Sequence, residues 1–364
     1  MYTEIIKIIE GGMVGNRTKV HDYALVLAGN LEESGDTDIA EEIYKVLTWQ
    51  KSKMATLDGF VARPTDKESR MEMVDVSYPS FDTGRPILRD YIEDEIREFV
   101  ASYQHREVFF KAGIRNANTL LLYGPPGCGK TTVARYVSFI AELPLVTARL
   151  DGLESSLLGS TAKNIRRIFD YVSQGECILF IDEFDAVAKI RDDNHELGEL
   201  KRVVNSLLQN IDGFSANSIL IAATNHSNLL DPAVWRRFNK IIALDKPNES
   251  EIKILLERFL QPVESNTMTN KRKMNKVAAA LVGMSHGDIE TIVQNSIKRA
   301  IINGRNLVDN WELLGEIYLY KNHRIVNDGD FISFLLAHGA VQREINKGFG
   351  YSLRKIREES AKNG

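Results

Sequence analysis

Cysteine is nearly absent from this chain: two occur in 364 residues, Cys128 and Cys177. That excludes a disulfide framework and a cysteine-built metal cluster. Long apolar runs are missing too, and nothing approaches the ~18 consecutive apolar residues that span a bilayer. Acidic residues fall early in the N-terminal segment, which is not the pattern of a signal peptide. Neither charge sign dominates. Lys and Arg number 46 against 50 Asp and Glu, a net charge of −4, so bulk charge argues for neither a nucleic-acid partner nor an anionic membrane. With 43% hydrophobic and 26% charged residues, the expectation is an ordinary globular, cytoplasmic protein of two or three domains.

Against that plain background one segment stands out. Residues 124–131 read Gly-Pro-Pro-Gly-Cys-Gly-Lys-Thr, the phosphate-loop spacing. Glycines let successive backbone N–H groups converge on phosphates, Lys130 adds a point charge, and Thr131 offers a hydroxyl to a metal. A chance glycine turn would need no particular surroundings. Here an apolar run, Thr119 to Tyr123, precedes the loop and helical spacing from Thr131 to Leu143 follows it. Strand, loop and helix is the context that puts phosphates at a helix N-terminus.

The rest of the chain divides by periodicity. Val20, Tyr23, Ala24, Leu27, Ala28 and Leu31 follow helical spacing, Gly35-Asp36 breaks it, and Ile39 to Leu47 repeats it. Residues 1–50 are therefore a small helical N-terminal domain, either a docking element or a structural appendage. Residues 51–85 are polar and proline-broken, a linker with room for one strand. From 86 to 247, apolar runs at 119–123, 145–150, 177–182, 219–224 and 240–244 alternate with amphipathic helices. That predicts an α/β fold whose five-stranded parallel sheet has helices on both faces. Residues 248–310 are wholly helical, and 311–364 form a helical extension with a basic tail: six Lys/Arg against three Glu between 341 and 364.

Three further segments carry chemistry. Ile178 to Ile181 is an apolar strand ending in Asp182-Glu183, where parallel sheets bind ligands; Asp182 would orient a Mg2+ shell and Glu183 polarise an attacking water. Ile219 to Thr224 ends at Asn225, whose amide can hydrogen-bond that water or a γ-phosphate. Arg236-Arg237 follow, and either pair with nearby acids or serve phosphoryl transfer.

In this order the segments resemble an AAA+ ATPase of the AAA clade, over roughly residues 86–305. The resemblance implies ATP and Mg2+ as cofactors, ATP hydrolysis, and a homo-oligomeric ring, usually a hexamer. It makes Gly124, Pro125, Pro126, Gly127, Cys128, Gly129, Lys130, Thr131 and Thr132 the nucleotide loop and Thr131 with Asp182 the metal site. Lys130, Glu183, Asn225 and the arginine fingers Arg236 and Arg237 become the catalytic set. Gly283-Met-Ser-His-Gly-Asp288 is similar to the family's Gly-x-Ser-Gly-Ala-Asp lid segment near the adenine, placing Gly287 and Asp288 at the cofactor and making 248–310 a lid; His286 stands where glycine is usual. The N-terminal hairpin, Asp66 to Arg70 and the charged stretch 191–202 look like a bacterial and phage subgroup often encoded beside a subtilisin-like protease.

What the motor would act on is open at this stage. Leu157-Leu158-Gly159 occupies the place of the family's pore loop, with Leu157 where an aromatic is usual; leucine keeps an apolar knob but loses the flat face. Residues 191–195 would be a second pore loop or a solvated charged turn. The first reading is an ATP-driven ring that remodels or threads protein. A rival comes from the tail, where Gly339, Ile345, Gly350, Ser352, Arg354 and Lys355 have helix–turn–helix-like spacing, giving a nucleic-acid-associated ATPase or simply a basic solvated helix. A nucleotide-binding scaffold without turnover would not need the whole catalytic set.

Overall fold

A computed structural model describes residues 2–13, 17–34, 36–37, 39–40, 42–44, 63–65, 72–79, 85–114, 118–149, 158–185, 197–215 and 217–362. Its central sheet has strands β1 (Val74–Ser77), β2 (Thr119–Tyr123), β3 (Leu145–Ala148), β4 (Ile178–Ile181), β5 (Ile219–Thr224) and β6 (Lys240–Ala243), in the order β1-β3-β4-β5-β2-β6. Five of them run parallel, as the alternation of apolar runs and helices predicts. The sixth corrects the five-stranded count: β1, from the linker region, pairs antiparallel with β3, Val74 opposite Ala148. An antiparallel edge needs no crossover helix, so it leaves no alternation for a sequence reading to find.

The apolar strands are buried on both sides because successive side chains alternate. Leu121, Leu179, Ile181, Leu220 and Ala222 enter one core with Ile165, Phe169, Leu207 and Ile211 of the helices Leu158–Val172 and Leu197–Asp212. Leu120, Leu122, Ile178, Phe180, Ile219 and Ile221 enter the other with Ile96, Phe99, Val133 and Val137 of Asp90–Gln104 and Lys130–Ala141. At the edge, β6 is covered less, and Ile241 is 40% exposed.

A third core is mostly helical; a short parallel strand pair, Glu264–Ser265 with Leu307–Val308, corrects the wholly helical expectation for 248–310 and contributes Val308 to this core. The helices Glu249–Leu260, Lys271–Leu281, His286–Ile302, Asn310–Asn322 and Asp328–Ala337 share it, and Ile345 and Ile356 of the two last helices are buried in it. Its centre is aromatic: Phe331 meets Tyr318, Phe349 and Tyr351 with ring centroids 4.9, 4.8 and 6.3 Å apart. At the N-terminus, helices span Tyr2–Met13 and Arg17–Ser34, and residues 39–40 and 42–44 are again helical.

Candidate active site

Parallel register brings the chemistry to one edge. Tyr123 lies opposite Thr224, so Gly124 and Asn225 leave their strands side by side, and the Gly124 N–H donates to the Thr224 carbonyl at 3.3 Å. Ile181 lies opposite Ala222 on the other flank of β5. The carboxyl ends of β4, β5 and β2 are thus adjacent, where open α/β sheets hold ligands.

Two glycines show why the loop tolerates nothing larger. Gly124 has φ +147°, and a Cβ there would overlap the backbone carbonyl oxygen of Leu244 at the end of β6. Gly127 has φ +73°, and its Cβ would overlap the Ser285 side chain. Gly129 is left-handed at the N-cap of Lys130–Ala141, and no side chain caps that end. The helices Glu249–Leu260 and His286–Ile302, in contrast, carry capping boxes, Asn248 with Glu251 and Ser285 with Asp288. An uncapped helix N-terminus below a glycine loop is an anion site.

Lys130 is buried, and its ammonium donates to the Gly124 and Pro125 carbonyls at 2.8 and 2.9 Å. Burial pulls it below its ordinary pKa; a phosphate in the loop would oppose that penalty. The Thr131 hydroxyl donates to Asp182 Oδ2 at 3.0 Å. These are hard oxygen donors from two separate elements, a set that fits Mg2+. Asp182 Oδ1 accepts the Glu183 N–H at 2.9 Å.

Glu183 is exposed and left-handed, at φ +49°, a conformation costing on the order of 1–3 kcal/mol for a non-glycine residue. Its neighbour explains why it holds. Phe184 is fully buried, packs edge-on against Phe238 at 5.8 Å, and its N–H donates to the Ala223 carbonyl at 2.8 Å. Anchoring Phe184 in the core turns Glu183 outward. Next door, the Thr224 hydroxyl donates to Asp185 Oδ1 at 2.6 Å and accepts the His226 N–H at 3.0 Å, bracing the turn that carries Asn225. Asn225 Oδ1 is buried with no hydrogen-bond partner among the described residues. An orphaned acceptor beside an anion loop fits a water or a protonated phosphate oxygen.

The arginines are divided. Arg236 is exposed, while Arg237 is held by its own chain: its guanidinium reaches both Asp212 oxygens at 3.2 and 3.3 Å and donates to the Ala233 carbonyl at 2.7 Å. Leu157 and residues 191–195 lie outside the described residues; Leu158 and Gly159 open the helix that ends at Val172, with their side chains outside the description.

Facing the loop is a cavity of about 440 Å3 lined by Pro125, Pro126 and Gly127 on one side and Ser285, Asp288, Thr291 and Tyr320 on the other. The Gly287 N–H donates to the Gly127 carbonyl at 3.0 Å. Asp288 Oδ1 accepts the Tyr320 hydroxyl at 2.6 Å and Oδ2 accepts the Ser285 N–H at 2.8 Å. Lys246 also lines the cavity, its ammonium donating to the Gly283 carbonyl at 2.6 Å. Sequence reasoning placed Gly287 and Asp288 here but missed Tyr320, Lys246 and Thr291, which sit in no motif.

With this geometry in place, comparison with known proteins shows what the sheet region is similar to. Residues 120–246 match the AAA family, the ATPases associated with various cellular activities. An uncharacterized AAA family ATPase, y4kL, of Sinorhizobium fredii is 40% identical over 215 residues, 57% of this chain and 62% of that protein. The ATP-dependent zinc metalloprotease FtsH 2 of Sorangium cellulosum is 32% identical over 60% of this chain and 37% of its own length. The chloroplastic FTSH 7 of Oryza sativa is 31% identical over 60% of this chain and 27% of its own. The chain thus spans less than two thirds of these relatives. The AAA match covers β2 to the end of β6, the sheet that carries the loop, Asp182, Glu183, Asn225 and both arginines. Among the described residues no helix is long and apolar enough to cross a membrane.

Proposed function

We propose that this protein is a Mg2+-dependent ATPase that works as a ring of identical subunits, a hexamer, and remodels or threads protein. The observation that carries the reading is the meeting of Thr131 Oγ1 and Asp182 Oδ2 at 3.0 Å beneath an uncapped, glycine-built anion site. Lys130 would exchange loop carbonyls for phosphate oxygens. Mg2+, held by Thr131 and Asp182, would neutralise charge developing on the phosphates. Glu183, turned outward by the Phe184 anchor, has the freedom to orient and deprotonate a water, and Asn225 Oδ1 has the unused acceptor to register it. Exposed Arg236, with Arg237 once released from Asp212, would serve a neighbouring subunit's site.

A protein substrate is supported by the FtsH relatives, each named an ATP-dependent protease. Leu157, Leu158 and Gly159 would be the gripping segment. A subtilisin-like protease as partner, and a cytoplasmic setting, go with the resemblance of the flanking segments to that bacterial and phage subgroup.

The test is ATP turnover by the full chain. Glu183→Gln is expected to lower turnover by roughly 10²–10⁴-fold while ATP still binds, and Lys130→Ala to abolish binding. Undiminished turnover in Glu183→Gln would sink the mechanism. Sedimentation of Glu183→Gln with ATP is expected to show a hexamer; a monomer at every concentration would sink the ring.

A further inference from the structure

The helices Lys271–Leu281 and Gln342–Phe349 form a face whose charge runs against that of the chain. The first carries Lys271, Arg272, Lys273 and Lys276 and no acidic residue; the second adds Arg343 and Lys347 against Glu344. Six cations thus meet one carboxylate, in a protein of net charge −4. Packing brings the two helices together across some seventy residues of sequence. The Lys273 ammonium reaches Glu344 Oε1 at 3.2 Å, and the Lys276 ammonium donates to the Ala337 carbonyl at 3.0 Å, just ahead of the second helix. Lys271, Arg272, Arg343 and Lys347 are exposed and make no ion pair among the described residues.

Helix stability does not account for this arrangement, because three successive cations in a first turn oppose the helix dipole. The backbone of that turn is not free for a ligand either: Asn270 Oδ1 already accepts the Arg272 and Lys273 N–H groups at 2.9 and 3.3 Å. What the face offers is unpaired side-chain charge. Between Lys271 and Leu281, and between Gln342 and Phe349, no large apolar side chain is exposed. A protein interface is centred on apolar groups and is poor in lysine, and single-stranded nucleic acid is gripped by exposed aromatic rings. A duplex backbone needs neither and selects polar, strongly positive surfaces. We propose that this face docks the phosphates of double-stranded DNA, without sequence preference, through Lys271, Arg272, Arg343 and Lys347. These contacts involve no residue of the nucleotide site and do not depend on the ATP reading. They are also separate from Arg354 of the tail, which already pairs with Glu358 at 2.9 Å.

Fluorescence anisotropy of the full chain with a short labelled DNA duplex tests this across a salt series. Four phosphate contacts should make the affinity fall about a hundredfold between about 50 and 200 mM salt. Lys271→Gln with Arg272→Gln, and Arg343→Gln with Lys347→Gln, should each weaken binding about tenfold at low salt and reduce the slope of log affinity against log salt by about 2. All four substitutions together should remove binding, and Arg354→Ala should change nothing. If the combined variant fails to fold, the two double variants carry the comparison. Absence of duplex binding at low salt would overturn the proposal, and so would affinity that survives the substitutions. Polyglutamate held by these four residues more tightly than the duplex would give the face to an acidic protein and overturn it as well.

Discussion

At the carboxyl ends of β2, β4 and β5, polar groups are held in positions their own chain does not satisfy. Asn225 Oδ1 is buried without a partner among the described residues, and Glu183 sits exposed in a left-handed conformation. The C-terminal helices do the reverse. Lys355 pairs with Asp328 at 2.5 Å and lies over the Tyr351 ring, Arg354 pairs with Glu358 at 2.9 Å, and Lys273 pairs with Glu344 at 3.2 Å. The turn geometry expected of the tail is present: Ile345 is fully buried, Gly350 is left-handed at φ +75°, and the Ser352 hydroxyl accepts the Lys355 N–H. Yet Arg354 and Lys355, the cations of the nucleic-acid reading, are already matched by carboxylates. Unsatisfied groups mark a place waiting for a ligand, and satisfied ones mark a place that supports the fold.

That contrast can be broken by substitutions that separate stability from binding. The largest effect is expected from Phe331→Ala, which empties the aromatic centre of the helical core. It should destabilise by about 3–5 kcal/mol in chemical denaturation, with nucleotide affinity in the folded fraction little changed. Gly124→Ala should do the opposite. Its Cβ collides with the Leu244 carbonyl, so ADP affinity should fall about a hundredfold, about 2.7 kcal/mol, with a smaller loss of stability. Equal losses of stability and affinity in both variants would erase the distinction.

Smaller changes sharpen it. Burial pushes the Asp288 carboxyl up, but the bonds donated by the Tyr320 hydroxyl and the Ser285 N–H outweigh this and hold it below its ordinary value of 3.8. Because the folded value is the lower one, this stabilisation is present above pH 3.8 and is lost as pH falls through the folded value. Tyr320→Phe should therefore cost about 1 kcal/mol at pH 7, and the gap from wild type should close in strong acid, as followed by thermal melts across pH. Least of all should come from Arg354→Ala, whose side chain is 90% exposed: under about 0.5 kcal/mol of stability and no change in ATP turnover. A gel shift of the full chain with duplex DNA at low salt is expected to show no binding that Arg354→Ala removes.

Much of the sheet was legible because parallel strands buried on both faces must be apolar throughout, as Ile178 to Ile181 and Ile219 to Thr224 are. The edge strand Val74–Ser77 was not, since four residues alternating between core and solvent make a weak signal inside a polar, proline-broken segment. The loop was legible for a local reason: a glycine pattern encodes backbone conformation directly. Tyr320 was not, because it is brought to Asp288 by the packing of one helix on another, across 32 residues of sequence.

The amino-acid sequence by itself determined the phosphate loop, the acidic strand end, Asn225 and the arginine pair, since these depend on residue type and short-range spacing. Only the tertiary structure decided which groups are satisfied. It gave Arg237 to Asp212, Lys355 to Asp328 and Tyr320 to Asp288, and it left Asn225 Oδ1 and His286 Nδ1 buried beside the loop with no partner among the described residues. The reason is that burial and hydrogen bonding are properties of juxtaposed elements, and a one-dimensional spacing does not record which surfaces meet.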